Sequence, residues 1–261
     1  MRKLFKPLLI LSIVSLAVAC KKDAKVSSDV PQDVLDQIYA LGFSNKDVKV
    51  DEGGYIVEGD IFIPTERLSQ AATDVKFLRI AGEEQYRTFN LVTALPRTIT
   101  ISVDSRLPLY ISDATNEAIN RYNSESLLLT FQRVSSGGAI QIVKGAGNYL
   151  ASAGFPSSSG QPYGQVKVNT NQLGGQPLNT VASVIAHEVG HCIGFRHTDY
   201  MSRQYSCGGA ASNEGSGTIG AVLIPGTPSG PDAGSWMLSC IGSGQNRPFN
   251  NNDKTALSYL Y

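Results

Sequence analysis

Only three histidines occur in the 261 residues, and all fall within one run, His187-Glu-Val-Gly-His-Cys-Ile-Gly-Phe-Arg-His197. A chain that gathers every imidazole it has into one short stretch is using them together. His187 and His191 are four apart, so on a helix they lie one above the other on one face. Gly194 allows the left-handed turn that ends a helix, and the chain can then swing back to deliver His197. Three neutral imidazoles converging in this way suit zinc with a fourth position open, the arrangement of catalytic sites. Glu188 leaves the helix at a different angle from its neighbours. It is expected to take a proton from a metal-bound water as that water attacks a carbonyl, and to return it to the leaving amine. A structural site would close with a fourth protein ligand and would have no use for Glu188. The alternative from another class is a surface binding or adhesion module that keeps zinc for structure, and Glu188 argues against it.

The elements that must position this run can be read from periodicity. Asn179 is the expected N-cap of the histidine helix. Upstream, Ile99, Ile101 and Val103 alternate as a strand, and Ala114, Ala118, Ile119 and Tyr122 follow helical spacing. Strands are expected near 127–134 and 140–143, then a Gly/Ser/Pro-rich loop over 144–164. Gln165-Val-Lys-Val-Asn169 reads as a short alternating strand, its Lys167 typical of a sheet edge. Residues 198–248 are dominated by Gly, Ser, Pro and Asn, after which Asn252 or Asp253 should cap a final helix from Lys254 to Tyr261. This order predicts an α+β fold with the sheet concentrated early. Nearer the N-terminus, Val34, Leu35, Ile38 and Leu41 predict a helix ending at Gly42. Val48, Val50, Tyr55 and Val57 predict a hairpin about Gly53-Gly54 that continues to Pro64. Residues 65–94 carry no clear pattern. The division expected is an N-terminal segment at 31–94 with little core of its own, followed by a catalytic unit at 95–261.

Formal charge is zero, from 22 basic and 22 acidic side chains, which leaves no electrostatic case for nucleic acid. Arg2, Lys3 and Lys6 precede an apolar stretch from Leu8 to Ala19 that is too short to span a bilayer comfortably, so residues 1–19 read as an export signal. Ala17 and Ala19 would suit ordinary signal peptidase. Cys20, followed by hydrophilic Lys21–Lys25, resembles a bacterial lipoprotein box, with residues 20–30 as a lipidated tether. The expectation is an exported monomer, on the outer membrane or surface of a Gram-negative bacterium, touching membrane only through the lipid at Cys20; the alternative is a secreted protein. Three cysteines then remain, enough for one disulfide. Cys207–Cys240 is favoured because both lie in Gly-rich segments, and Cys192–Cys207 stays open.

The run HEVGHCIGFRH resembles the zinc-binding motif of the metzincin metallopeptidases, HExxHxxGxxH with a downstream Met-turn. Ser235-Trp-Met237 stands where that turn would be, so Met237 is the methionine implied beneath the metal, a hydrophobic floor and not a ligand. The resemblance implies a twisted mixed sheet with an antiparallel edge strand, an active-site helix and a C-terminal helix over residues 95–261. It assigns the edge strand to Val166, Lys167 and Val168, with an extended peptide or protein substrate lying beside it as an added antiparallel strand. Ser239 stands where several metzincins carry a zinc-binding tyrosine, so that ligand is not carried over. The ending His197-Thr-Asp199, the runs Ser206–Gly209 and Ile224–Gly230 and the final Asn252–Tyr261 are similar to the secreted bacterial family often called dual-action matrix-metalloprotease-like. Asp199 would brace the turn bearing His197 or be a solvated loop carboxylate. Val57-Glu-Gly-Asp60-Ile resembles the FxGD motif of astacin prosegments, which makes Asp60 a candidate zinc ligand that keeps the enzyme latent. The competing reading makes Gly59-Asp60 a strand bulge.

Overall fold

The computed structural model describes residues 30–68, 85–215, 219–228 and 231–261. The signal-like segment and Cys20 lie outside the described residues. The N-terminal part contains helix α1 (Gln32–Leu41), strands β1 (Lys49–Asp51), β2 (Gly54–Val57) and β3 (Ile61–Pro64), and the one-turn helix α2 (Thr65–Leu68). Strands β4 (Tyr86–Arg87) and β5 (Arg97–Val103), helix α3 (Leu109–Asn123) and strands β6 (Leu129–Arg133), β7 (Ile140–Lys144), β8 (Ala151–Ala153) and β9 (Gln165–Val168) follow. The chain ends with α4 (Thr170–Leu173), α5 (Leu178–Ile193), α6 (Gln204–Cys207), β10 (Val222–Leu223) and α7 (Asn251–Leu260). The α+β expectation holds. No helix among the described residues is long and apolar enough to cross a membrane.

One mixed sheet runs in the order β1-β2-β3-β8-β9-β7-β5-β6. Strands β9, β7, β5 and β6 are parallel, and β8 lies antiparallel to β9. Alternating residues Ile99, Ile101, Ile140, Ile142, Val166 and Val168 are buried in the main core together with the inner faces of α3 and α5. Tyr122 locks the two helices together, its hydroxyl donating to the Ala186 carbonyl at 2.8 Å. Burying that phenol inside an aromatic cluster with Phe131, Trp236 and Phe249 is tolerated because the hydroxyl keeps its partner.

Several sequence expectations are corrected. Strand β9, which holds Val166, Lys167 and Val168, is not an edge, because β7 pairs one side of it and β8 the other. Its lysine is accommodated by the Asp51 carboxylate at 2.7 Å and the Phe62 ring at 4.2 Å, so a charge here does not mark a free edge. The antiparallel strand is β8, inside the stretch expected to be loop, and its outer side is met by β3 in parallel through Ile61 and Ala153. The N-terminal segment also has more core than periodicity suggested. Ile38, Leu41, Phe43, Val57, Ile61, Ile63 and Leu68 form a buried cluster, completed by Phe155 and Ile219 from far along the chain. Residues after 84 are stitched to the later chain: β4 pairs with β10, and Arg87 bridges to Phe195 just past the histidine helix.

Helix ends shift as well. Helix α5 starts at Leu178 after Pro177, so Asn179 sits inside the first turn instead of capping it. Proline there presets φ and gives up no needed N–H. The last helix is capped by Asn250, with Asp253 returning a hydrogen bond in a capping box. Helix α1 ends at Gly42 in the left-handed conformation, as expected.

Candidate zinc centre and its cleft

Helix α5 is buried on nearly every side, and Gly194 ends it at φ +117°. That backbone conformation, disfavoured for residues with a Cβ, turns the chain so that Phe195 and His197 fold back beneath the helix. Gly190 is needed for a different reason: a Cβ there would fall 2.5 Å from the Trp236 ring and 2.7 Å from the Met237 sulfur. Met237 is fully buried against this glycine.

The three histidines converge. His191 Nε2 and His197 Nε2 are 3.2 Å apart, and both rings lie near that of His187. Each Nδ1–H is engaged outside the cluster: His187 donates to the Trp236 carbonyl at 2.9 Å, His191 to the Phe195 carbonyl at 2.8 Å, and His197 to the Glu214 carboxylate at 2.9 Å. With the Nδ1 protons committed outward, the Nε2 lone pairs face one another, and His187 Nε2 is buried without a hydrogen-bond partner. Such a constellation is repulsive unless a cation sits among them, so the residues fit zinc. Burial holds His191 well below the usual imidazole range, reinforced by the neighbouring imidazoles, which keeps it neutral as a ligand.

Asp60 closes the cluster from the N-terminal segment. Its carboxylate oxygens lie 3.3 Å from His197 Nε2 and 3.6 Å from His187 Nε2, and the four side chains form one group able to hold a metal ion. Glu188 is buried beside them with Oε2 unpartnered. Burial, reinforced by the Asp60 carboxylate and opposed by His197, holds its carboxyl well above the usual range.

A second set of charges was not legible in the sequence. Fully buried Arg196 places Nη2 3.2 Å from Glu58 and 3.7 Å from Glu214. Glu214 is also ion-paired with Arg203 at 3.1 Å and accepts from the Ser239 hydroxyl at 3.3 Å. It orients His197 from behind, as carboxylates beside metal-ligating histidines do. Neither glutamate belongs to a periodic pattern; the only local hint was an arginine next to the third histidine. Asp199 is a brace, fully buried, receiving Ser206 at 2.6 Å and both the backbone N–H and hydroxyl of Ser239. It ties the His197 turn to the segment after Met237. The same region carries the Cys207–Cys240 disulfide, and Cys192 is a buried free thiol.

Beside the histidines opens a cavity of about 250 Å³. One wall is Ser183 and Val184 of α5, another is the Asn148–Ala151 stretch entering β8, and the third is the chain from Trp236 to Ile241 with Arg247. His187, Glu188, Gly59, Asp60 and Arg203 also line it.

A mixed sheet, a helix with three converging imidazoles and an adjacent glutamate, and a methionine floor define a metzincin-like zinc metallopeptidase. Residues 56–261 match the family described as dual-action HEIGH metallo-peptidase, and the chain belongs to it. Here the namesake motif is His187-Glu-Val-Gly-His191, with Val189 in place of isoleucine. Among solved structures, myroilysin is similar at 15% identity with a TM-score of 0.42, covering 66% of this chain and 82% of its own. High choriolytic enzyme 1, a hatching enzyme zinc-protease of the medaka fish Oryzias latipes, matches at 16% identity and a TM-score of 0.36, covering 62% and 88% respectively. No curated protein matches the chain. As a member of a peptidase family, the protein acts on peptides or proteins with zinc as its cofactor.

Proposed function

We propose that the protein is an endopeptidase synthesised in a latent form, with Glu188 as general base and acid and with Asp60 blocking the metal. The observation that carries this reading is that Asp60 and Glu188 meet at the same three histidines. His187, His191 and His197 would hold zinc, which when bound acts as an electrophile and lowers the pKa of a bound water to about 7. Glu188 accepts the proton of the attacking water and delivers it to the leaving amine. Its burial excludes competing solvent and keeps the proton on the path between those two partners. Met237 serves as a hydrophobic floor under the ligands.

An extended substrate would add to β8, antiparallel to it, after the β3 segment has left. Strand β3 runs parallel to β8, opposite to that direction, which makes it an occupant of the cleft unsuited to being cut. The segment at 31–94 would thus be the prosegment and residues 95–261 the catalytic unit, exported with residues 1–19 as the signal, as a monomer anchored by lipid at Cys20 or else secreted. The discriminating experiment compares the wild-type chain with Glu188→Ala on an unfolded protein substrate, after bound zinc has been measured in both. We expect Glu188→Ala to lose about 10²–10⁴-fold in rate with zinc retained. Equal cleavage by the two would overturn the assignment and favour the binding-module alternative.

A further inference from the structure

Two residues before Asp60, Glu58 carries a second carboxylate that the cleavage chemistry does not use. Its side chain is fully buried, with Arg196 Nη2 at 3.2 Å and the Ser44 N–H donating to Oε1 at 3.1 Å. Among the described residues it forms no other ion pair. Arg196 is better supplied. It donates to the Gly220 and Gly215 carbonyls, lies 3.7 Å from Glu214, and holds its guanidinium over the rings of Phe43, Phe155 and Tyr200. Of these partners only Glu58 and Phe43 come from the N-terminal segment. If that segment leaves, Arg196 keeps Glu214, whereas Glu58 keeps no cation. The catalytic unit can therefore lose this contact without stranding a buried charge, which is the asymmetry of a latch and not of a core brace.

The local backbone is bent to make the contact. Glu58 has φ +56° and Gly59 φ +97°. A left-handed residue that carries a Cβ persists only where its surroundings hold it. Gly59 is required for another reason as well, since a Cβ there would fall 2.7 Å from Arg203 Nη2. The segment thus lies against Arg196 and Arg203 in turn, the two arginines that pair with Glu214 behind His197. Ligating atoms of Glu58, Glu214 and His197 all lie within 4.8 Å of one another. Glu58 reaches the same centre as Asp60, but from behind the third histidine instead of from the metal position.

We propose that Glu58 and Arg196 form a second latch, which closes the N-terminal segment over the cleft without help from the metal and acts alongside Asp60. This rests on the latent-form reading given above and adds a metal-independent part to it. The Ala153 amide reports closure, because it donates to the Asp60 carbonyl between β8 and the segment; the Val134 amide, bonded to the Ile101 carbonyl, is a control on the other side of the sheet. The test follows hydrogen exchange at both amides in the full-length chain stripped of zinc by a chelator. Glu58→Gln should speed exchange at Ala153 about a hundredfold, the scale of removing one partner from a buried ion pair, and leave Val134 unchanged. Glu58→Asp keeps the charge with a shorter reach and should fall between. Unchanged exchange at Ala153 would overturn the inference, and so would equal acceleration at Val134, which would make Glu58 a support of the whole fold. Should Glu58→Gln not fold, Glu58→Asp decides the matter by the same two amides. With zinc restored, the unprocessed double variant Glu58→Gln/Asp60→Ala should cleave an unfolded protein faster than Asp60→Ala alone, and equal rates would also overturn the latch. Absence of any Glu188-dependent cleavage would sink the protease reading, while exchange at Ala153 would still decide the latch.

Discussion

The floor and the roof of the cleft are built on different principles. The floor consists of α5, the His197 turn and the Met237 segment, packed so tightly that Gly190 has no room for a Cβ. The roof, residues 58–64, meets β8 through one bridged pair and reaches the centre with two carboxylates, buried Glu58 on Arg196 and partly buried Asp60 on the histidines. Apolar packing makes the floor permanent, because nothing in solution substitutes for it. Charge pairing adds a conditional element to a roof whose Ile61 and Ile63 also pack on Phe155, since each buried ion depends on a partner whose removal leaves the other uncompensated.

Breaking the support behind the floor should have the larger effect. Glu214→Gln removes the carboxylate that holds His197, and zinc affinity should fall about 10–100-fold, read by competition with a chelator. An unchanged affinity would mean that Trp236 and Phe195, through the other two histidines, suffice to set the site. Gly190→Ala tests packing directly. The added methyl would press on Trp236 and Met237, and we expect a loss of about 1–3 kcal/mol in denaturant unfolding. A neutral result would show that the floor can yield.

The smallest effect concerns Asp253, which anchors α7 to the same floor through Trp236 and Ser235. Burial pushes its carboxyl up to about 7, ahead of the donors from Asn250, Trp236, Ser235 and Gln85 that pull it down. A folded pKa above the unfolded one favours the protonated form in the fold. Its contribution is therefore fullest below about pH 4, the unfolded value, and declines as pH rises toward 7. Thermal unfolding of wild type should weaken across that window, and Asp253→Asn should flatten the trend.

The same contrast explains what could be read from the sequence. The floor's ligands, its glycine turn and its methionine announce themselves because metal chemistry and helical geometry fix their spacing along a few turns of chain. The α+β order was legible for the same reason, since buried strands and helices repeat at 2 and 3.6 residues. Glu58, Arg196 and Glu214 were not legible, because their partners lie far apart in sequence and ion pairs impose no period. Lys167 misled because a charge on a short strand marks an edge only if nothing distant pairs with it, and Asp51 does. Strand β8 was hidden by its length, three residues within a Gly- and Ser-rich stretch.

The central claim is that a finished catalytic floor is held silent by a carboxylate from the roof. The direct measurement assays zinc-loaded full-length chain, verified as unprocessed by mass analysis, against its Asp60→Ala variant on an unfolded protein. Removing the blocking charge should raise activity on the order of tenfold or more, because a charge-assisted contact at the centre is lost while His187, His191, His197 and Glu188 remain in place. Equal activity in the two unprocessed chains would contradict the account.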